Sequence, residues 1–291
     1  MLNTLPLPKN MLVLCLLIAT TMADPILIPL QMQQSLLIAT TIADPILTPF
    51  QMQQKMGLGI NLGNTLDAPF EGNWAPAAKE SFFDEYKARG FSNVRVPVQW
   101  GHHISESAPY AVNETFMARV EQVLDWSLDR GLVTILNTHH DEWFEDDFKN
   151  ELPRFKALWT QISNRFSNRS QYLLFEIYNE PHATQFTANN LNAMNEAVLP
   201  IIRSHNANRI VIFGGLKFMN PSWINSNPDA LHFPTNDTQL MLEIHSYDPY
   251  DYAGGKNPTV HSWGYVCCFC FVIRREVDFC HSHPLFVKSF F

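Results

Sequence analysis

From residue 55 onward, short apolar runs alternate with longer segments whose apolar residues recur at helical spacing. The runs Gly57–Leu62, Ser92–Pro97, Leu132–Thr138, Tyr172–Tyr178, Arg209–Phe213 and Leu240–His245 predict six strands. The segments near Ala78–Arg89, Glu114–Arg130, Leu152–Phe166 and Leu191–His205 predict helices. Strands alternating with helices of about ten to fifteen residues imply βαβ units and a parallel sheet. Such a sheet either stays open or closes into a barrel. Open doubly wound sheets usually place a Gly-rich phosphate turn after the first strand, whereas here that turn reads Asn61-Leu62-Gly63-Asn64-Thr65. Asn64, Arg95, His139, His140, Asn179, Glu180, His245 and Tyr247 fall at or near C-terminal strand ends, the face on which barrels place their chemistry. The pattern therefore predicts an α/β fold: a (β/α)8 TIM barrel, incomplete, with about six of eight βα units.

Upstream, Lys9 is the only charge before an apolar run from Met11 to Ile18, and Thr21-Met22-Ala23 follows as a small-x-small cleavage pattern. This reads as a secretory signal peptide, too short to span a bilayer. Residues Leu16–Gln34 recur as Leu36–Gln54, shifted by 20. Two copies do not make a solenoid, so the repeat reads as a duplicated leader and linker outside the folded domain. The expected layout is a signal peptide at 1–23, a duplicated leader/linker at 24–54, a partial barrel at 55–264 and a separate tail at 265–291.

Composition narrows the function. The chain has 291 residues, 46% hydrophobic and 16% charged, and its net charge of -8 forms no run. That is enough for one large core, and without a basic face nucleic acid is not an expected partner. Aromatic residues make up 12%, which suits a core and sugar-stacking surfaces alike. Sequons at Asn113, Asn168 and Asn236 favour a secreted, extracellular protein. Cys15 lies in the leader and the other four cysteines, Cys267, Cys268, Cys270 and Cys280, lie in the tail, so the body of the domain holds no disulfide.

The richest stretch for chemistry is Phe175–His182, FEIYNEPH. A strand-end carboxylate, Glu180, follows an amide, Asn179, that suits a sugar hydroxyl, and Pro181 stiffens the turn. A glutamate that donates a proton near neutral pH needs a raised pKa, from burial or from a neighbouring anion. A loop glutamate paired with a surface base is the plainer alternative.

The ordered segments GINLGNTLDAP, NVRVPVQW, ILNTHHD, FEIYNEPH, IVIFGG and EIHSYDPY together resemble glycoside hydrolase family 5, the cellulase-type barrels, from about Gly57 to Gly264. The resemblance implies a glycosidase, endo-β-1,4-glucanase-like, that cleaves β-glucans with retention. It implies that Glu180 is the general acid/base and Asn179 its sugar-binding neighbour. Arg95 would orient the nucleophile, and an ion pair with Glu176 on the barrel floor is compatible with that role. Glu176 and Glu243 share the inward parity one layer deeper and read as structural. His139, His140, His245 and Tyr247 would line the site, with Tyr247 bonding the nucleophile, while Asn64 and Asp67 would bind the sugar on the non-reducing side. Trp74 and Trp223 are candidate stacking platforms, with ordinary packing as the alternative. The expected partner is a β-glucan polysaccharide or oligosaccharide. No cofactor, metal or membrane span is expected, and the chain is expected to act as a monomer.

Retention needs a second carboxylate about 5–5.5 Å from the first. In the resembled family it comes from a Gly-Glu-Phe-Gly-like segment ending the seventh strand. Residues 265–291 contain none, and their only carboxylates, Glu276 and Asp278, follow Arg274-Arg275 with no glycine turn. The tail's apolar residues show neither helix nor strand period. The chain is therefore expected to be C-terminally truncated or altered, with its nucleophile absent and its activity impaired. An inactive glucan-binding protein, or a non-functional product, is the rival reading. A zinc site from Cys267, Cys268, Cys270, Cys280, His281 and His283 is a weaker one, because the second half of the spacing is irregular and a secreted thiol cluster would oxidise.

Overall fold

The computed structural model of the chain describes residues 45–247 and the strand 269–272. The six expected strands are present: β1 (Gly59–Asn61), β2 (Asn93–Val96), β3 (Val133–Asn137), β4 (Leu173–Glu176), β5 (Val211–Gly214) and β6 (Leu240–His245). They pair in sequence order and in parallel. With helices between them they form a curled, incomplete (β/α)8 barrel. Strands β2 to β6 are buried along their whole length, and β3 to β6 accordingly read as mostly apolar runs.

Helices α2 (Glu80–Ala88), α3 (Glu114–Asp129), α5 (Phe148–Arg165) and α6 (Ala188–His205) match the expected segments. Asn113 and Thr187 cap α3 and α6, accepting N–H bonds from Phe116 and Asn190. Short helices α4 (Glu142–Asp146) and α7 (Pro221–Ser226) add turns on the strand-end face. No helix among the described residues is long and apolar enough to cross a membrane.

Side chains alternate across the strands. Val94, Val96, Leu136, Phe175 and Phe213 pack outward under the helices. Val133, Ile135, Leu174, Ile212 and Met241 face inward and form a second cluster. That inner cluster is closed by Met52 and Met56 from α1 (Pro49–Met56). Helix α1 starts with a capping box, Thr48 with Gln51, and Pro49 at its first turn. Its end is turned into β1 by Gly57, at φ 54°, where a Cβ would lie 2.4 Å from Ser92 Oγ.

Two boundaries differ from the sequence reading. The folded unit begins at Ile46 rather than 55, because the second copy of the repeat supplies Leu47, Met52 and Met56 to the core. A seventh strand, β7 (Phe269–Val272), pairs antiparallel with β6, from Leu242↔Val272 to His245↔Phe269, so part of the tail is strand despite its lack of a clear period. The leader at 1–23, the first repeat copy and the proposed cysteine–histidine zinc ligands lie outside the described residues or side chains.

Candidate active site

The inward residues become polar toward the C-terminal ends of the strands. Arg95 on β2 is buried and donates to Glu176 on β4 through Nε (2.6 Å to Oε2) and Nη2 (2.7 Å to Oε1). Its Nη2 also donates to Asn179 Oδ1 at 2.7 Å, and its Nε lies 3.7 Å from Glu243 on β6. Burial opposes the charge on Arg95, but the carboxylates of Glu176 and Glu243 outweigh it and hold the guanidinium fully protonated. Arg95 thus ties the first half of the sheet to the strand that presents Asn179 and Glu180. Glu176 and Glu243 sit beneath, with no side-chain exposure, as the inward parity implied.

Glu180 ends this layer, with 19% of its side chain exposed. Its Oε1 lies 2.6 Å from His245 Nδ1 and accepts from Tyr247 Oη at 3.3 Å. His245 is buried, and its Nε2 lies 3.1 Å from Glu243 Oε1. Both imidazole nitrogens face carboxylate oxygens, so the ring donates on both sides as an imidazolium. Burial pulls His245 down, yet the bonds to Glu180 and Glu243 raise its pKa overall. For Glu180 the balance runs the other way. Burial pushes it up, but the bond and charge of His245, with Arg95 behind, hold it below the ordinary carboxylate range. The raised pKa required for proton donation is absent, because the neighbour at hydrogen-bond distance is a cation. Tyr247, expected to bond a nucleophile, bonds Glu180.

The opposite wall comes from the loops after β1 and β3. His139 Nδ1 lies 3.1 Å from Asn137 Nδ2. Asn137 is oriented by accepting from the Val98 N–H and donating to Glu176 Oε1, so its amide N–H points at His139 and leaves Nε2 as that ring's proton-bearing nitrogen. Burial, with Arg95, His140 and His245 nearby, pushes the His139 pKa far down. His139 is therefore a neutral ring that carries its donor on Nε2. His140 stands edge-on to His139 at 4.5 Å between centroids and edge-on to Trp74 at 5.7 Å. Its pKa is raised by the Glu142 carboxylate. Asp67 holds the first turn, accepting N–H bonds from Asn64 (3.0 Å) and Thr65 (2.7 Å), while Asn64 itself is exposed. Asn64, His140 and Glu180 have φ of 60°, 52° and 47°, a left-handed conformation that is uncommon for non-glycine residues.

Asp67, His139 and His140 each place a possible ligand atom within 4.8 Å of the others. The donor set does not favour a cation: Asp67 is committed to two backbone N–H groups, and the free nitrogen of His139 bears its proton. Of the two tryptophans, Trp74 is 49% exposed beside His140, whereas Trp223 packs on the core and against Gly215.

Two buried carboxylates had no counterpart in the sequence reading. Asp141 accepts N–H bonds from Gly101 (2.6 Å), Trp143 (2.9 Å) and Trp100 (3.2 Å), and burial pushes it up to about 7. Glu145 on α4 accepts from Tyr178 and from the backbone just past Glu180. Asp141 ends the ILNTHHD segment and could have been singled out there, but no local signal distinguishes Glu145 from its acidic neighbours.

Known proteins resemble this chain in sequence and in fold. The model of the Cellulase family (glycosyl hydrolase family 5) matches residues 59–272. The chain is 45% identical over 195 residues to Endoglucanase H of Acetivibrio thermocellus, covering 67% of this chain and 20% of that protein. It is 30% identical over 211 residues to Endoglucanase B of Clostridium cellulovorans, covering 67% and 48%. The chain thus spans half or less of these relatives. Among solved structures, endoglucanase Cel5A from the hyperthermophilic Thermotoga maritima superposes with a TM-score of 0.68 at 35% identity, covering 74% of this chain and 68% of that one. A tri-modular endo-β-1,4-glucanase from Bacillus licheniformis complexed with cellotetraose superposes with a TM-score of 0.63 at 40% identity, covering 71% and 41%.

Proposed function

The chain belongs to glycosyl hydrolase family 5, and from that premise we propose that it is the greater part of an endoglucanase-like barrel that binds β-1,4-linked glucan, with Glu180 as the proton-donating acid/base. The observation that carries this reading is the placement of Glu180 at the end of β4, held by His245 and Tyr247 and faced by His139, His140, Asp67 and Trp74 across the strand-end face. Neutral His139 suits a sugar hydroxyl and exposed Trp74 suits a pyranose face, while Asn64 is exposed in the turn that Asp67 holds. That cellobiose and cellotetraose occupy solved relatives supports a β-glucan ligand here.

We further propose that the 291-residue chain is impaired in turnover. Retaining hydrolysis needs a second, reachable carboxylate. Glu176 and Glu243 are sealed beneath the site and paired with Arg95, and Asp67 is bound into its turn. Residues 265–291 supply no glycine-turn glutamate. Without a nucleophile the cleft holds a glucan and does not cleave it, so an inactive glucan-binding protein is the alternative that the missing carboxylate favours. Secretion is part of the proposal, and exposure of Asn113, Asn168 and Asn236 supports it. A monomer is the expected state.

Two assays on the purified chain test this. Calorimetry with cellotetraose is expected to show binding, and reducing-sugar release from carboxymethyl-cellulose is expected to stay at the level of Glu180→Gln. Release abolished by Glu180→Gln would overturn the impairment and keep the hydrolase. Absence of both binding and release would overturn the glucan-directed reading.

A further inference from the structure

We infer that Glu145 is the positioning residue for Glu180, a role that rests on the acid/base reading above. Glu145 lies on α4, in the loop after β3, and its side chain is 1% exposed. It has no salt bridge to a lysine or arginine among the described residues. Its Oε2 accepts the backbone N–H groups of His182 (2.8 Å) and Ala183 (2.6 Å), and its Oε1 accepts Tyr178 Oη at 3.1 Å. These three donors bracket Glu180 in the chain, two residues before it and two and three after. The single Tyr178 hydroxyl proton is shared with the Asp141 carbonyl, 2.9 Å from Oη, which joins the same brace to the β3 loop.

The turn it grips needs holding. Glu180 sits at φ 47°, a strained conformation that a non-glycine residue keeps only where its surroundings impose it. The Glu180 carbonyl accepts from His182 Nδ1 at 2.8 Å, so the turn is closed on itself, and Glu145 anchors the closed turn to the barrel wall. A carboxylate is suited to this because one oxygen can take two N–H donors while the other takes a hydroxyl. Glutamine can reproduce that pattern, with its carbonyl oxygen toward the two N–H groups and its amide donating to Tyr178 Oη. Alanine cannot, and aspartate falls one methylene short.

His245 reports the outcome, since its imidazolium is stabilised by Glu180 at 2.6 Å. The experiment is NMR titration of the His245 ring in the full chain, with Glu180→Gln as the reference that removes the partner charge. Glu145→Ala and Glu145→Asp are expected to lower the His245 pKa by most of the shift that Glu180→Gln causes. Glu145→Gln is expected to restore it. Amide exchange at His182 and Ala183 should quicken roughly 10- to 100-fold in the alanine and aspartate variants, as charge-assisted bonds are lost. If Glu145→Ala does not fold, the aspartate variant and the glutamine rescue decide the matter alone. If Glu180→Gln shifts His245 and a folded Glu145→Ala or Glu145→Asp variant does not, the positioning role is overturned. If Glu180→Gln itself leaves His245 unmoved, the site geometry behind the acid/base reading is overturned instead.

Discussion

Arg95→Met tests the polar layer on which the site stands. The guanidinium is 2% exposed and Glu176 not at all, and the pair is bidentate at 2.6 and 2.7 Å with Glu243 at 3.7 Å. Methionine fills much of the volume but leaves two buried carboxylates with His245 as their cation among the described residues. Removing one partner of a buried pair typically costs about 3–5 kcal/mol. A second route to the same figure is protonation. Glu176 is already raised by burial and by Glu243, and the variant can escape the stranded charge by taking up a proton. Starting from an ordinary value of 4.5, that costs about 3.4 kcal/mol at pH 7 and about 0.7 kcal/mol at pH 5. A group whose folded pKa is raised contributes stability that is complete below its unfolded value and lost as pH rises toward the folded one. The deficit of the variant should therefore shrink on acidification. Denaturation followed by tryptophan fluorescence at pH 7 and pH 5 measures both, and Arg95→Lys, which keeps the charge, should fall in between. A loss under about 1 kcal/mol at pH 7, or one equal at the two pH values, would refute the view that an uncompensated charge is the cost.

Other expectations follow from the same structure. His245 is raised and Glu180 lowered, so their pair stabilises the fold above the ordinary glutamate value of 4.5 and below the ordinary histidine value of 6.5. It loses that contribution as pH falls through the folded pKa of Glu180 or rises through that of His245. His245→Asn should flatten the alkaline limb of a melting-temperature profile relative to the wild-type chain, and an unchanged limb would count against the pair. Met56→Ala opens the inner cluster beneath the strands and should cost about 2–5 kcal/mol, read by urea denaturation. If α1 were a detached linker, the variant would melt like the wild type. On the proposed mechanism, azide supplied with dinitrophenyl β-cellobioside should attack C1 as the aryloxide leaves and yield the inverted glycosyl azide. Recovery of only cellobiose, with no azide adduct, would contradict the proposed loss of the nucleophile.

The strands were legible because they are buried on both faces. Runs such as LVTILNT and LMLEIH are short and mostly apolar, without helical spacing of their polar residues, and their boundaries came within about two residues of the observed ones. The wall of the site was legible for a related reason: a polar residue that follows such a run sits at a strand end, where a barrel opens. Helix α1 was hidden by its context. Thr48 and Gln51 form a capping box, but the segment repeats an upstream copy rich in Ile, Leu and Pro, and the repetition overrode the cap. Glu145 could not be found from spacing, since what distinguishes it is contact with Tyr178, 33 residues away in sequence, and with the backbone of residues 182 and 183.

The pKa of Glu180 shows why the two carboxylates of a retaining hydrolase cannot be considered singly. Burial raises this group, as the acid role requires, yet His245 at 2.6 Å reverses the effect. A second carboxylate near the site would compete for the protons of His245 and Tyr247 and would repel the Glu180 anion, and both effects push Glu180 upward. In this structure Glu180 accepts from His245 Nδ1 and Tyr247 Oη while Glu243 faces His245 Nε2, and Glu180 settles as a low-pKa carboxylate. On the proposed reading, absence of the nucleophile therefore removes two things: the group that attacks the sugar, and the negative charge that keeps the acid protonated. Restoring a carboxylate near Tyr247 should accordingly raise the pKa of Glu180, and a titration that left Glu180 where it stands would show that burial and His245 alone set its value.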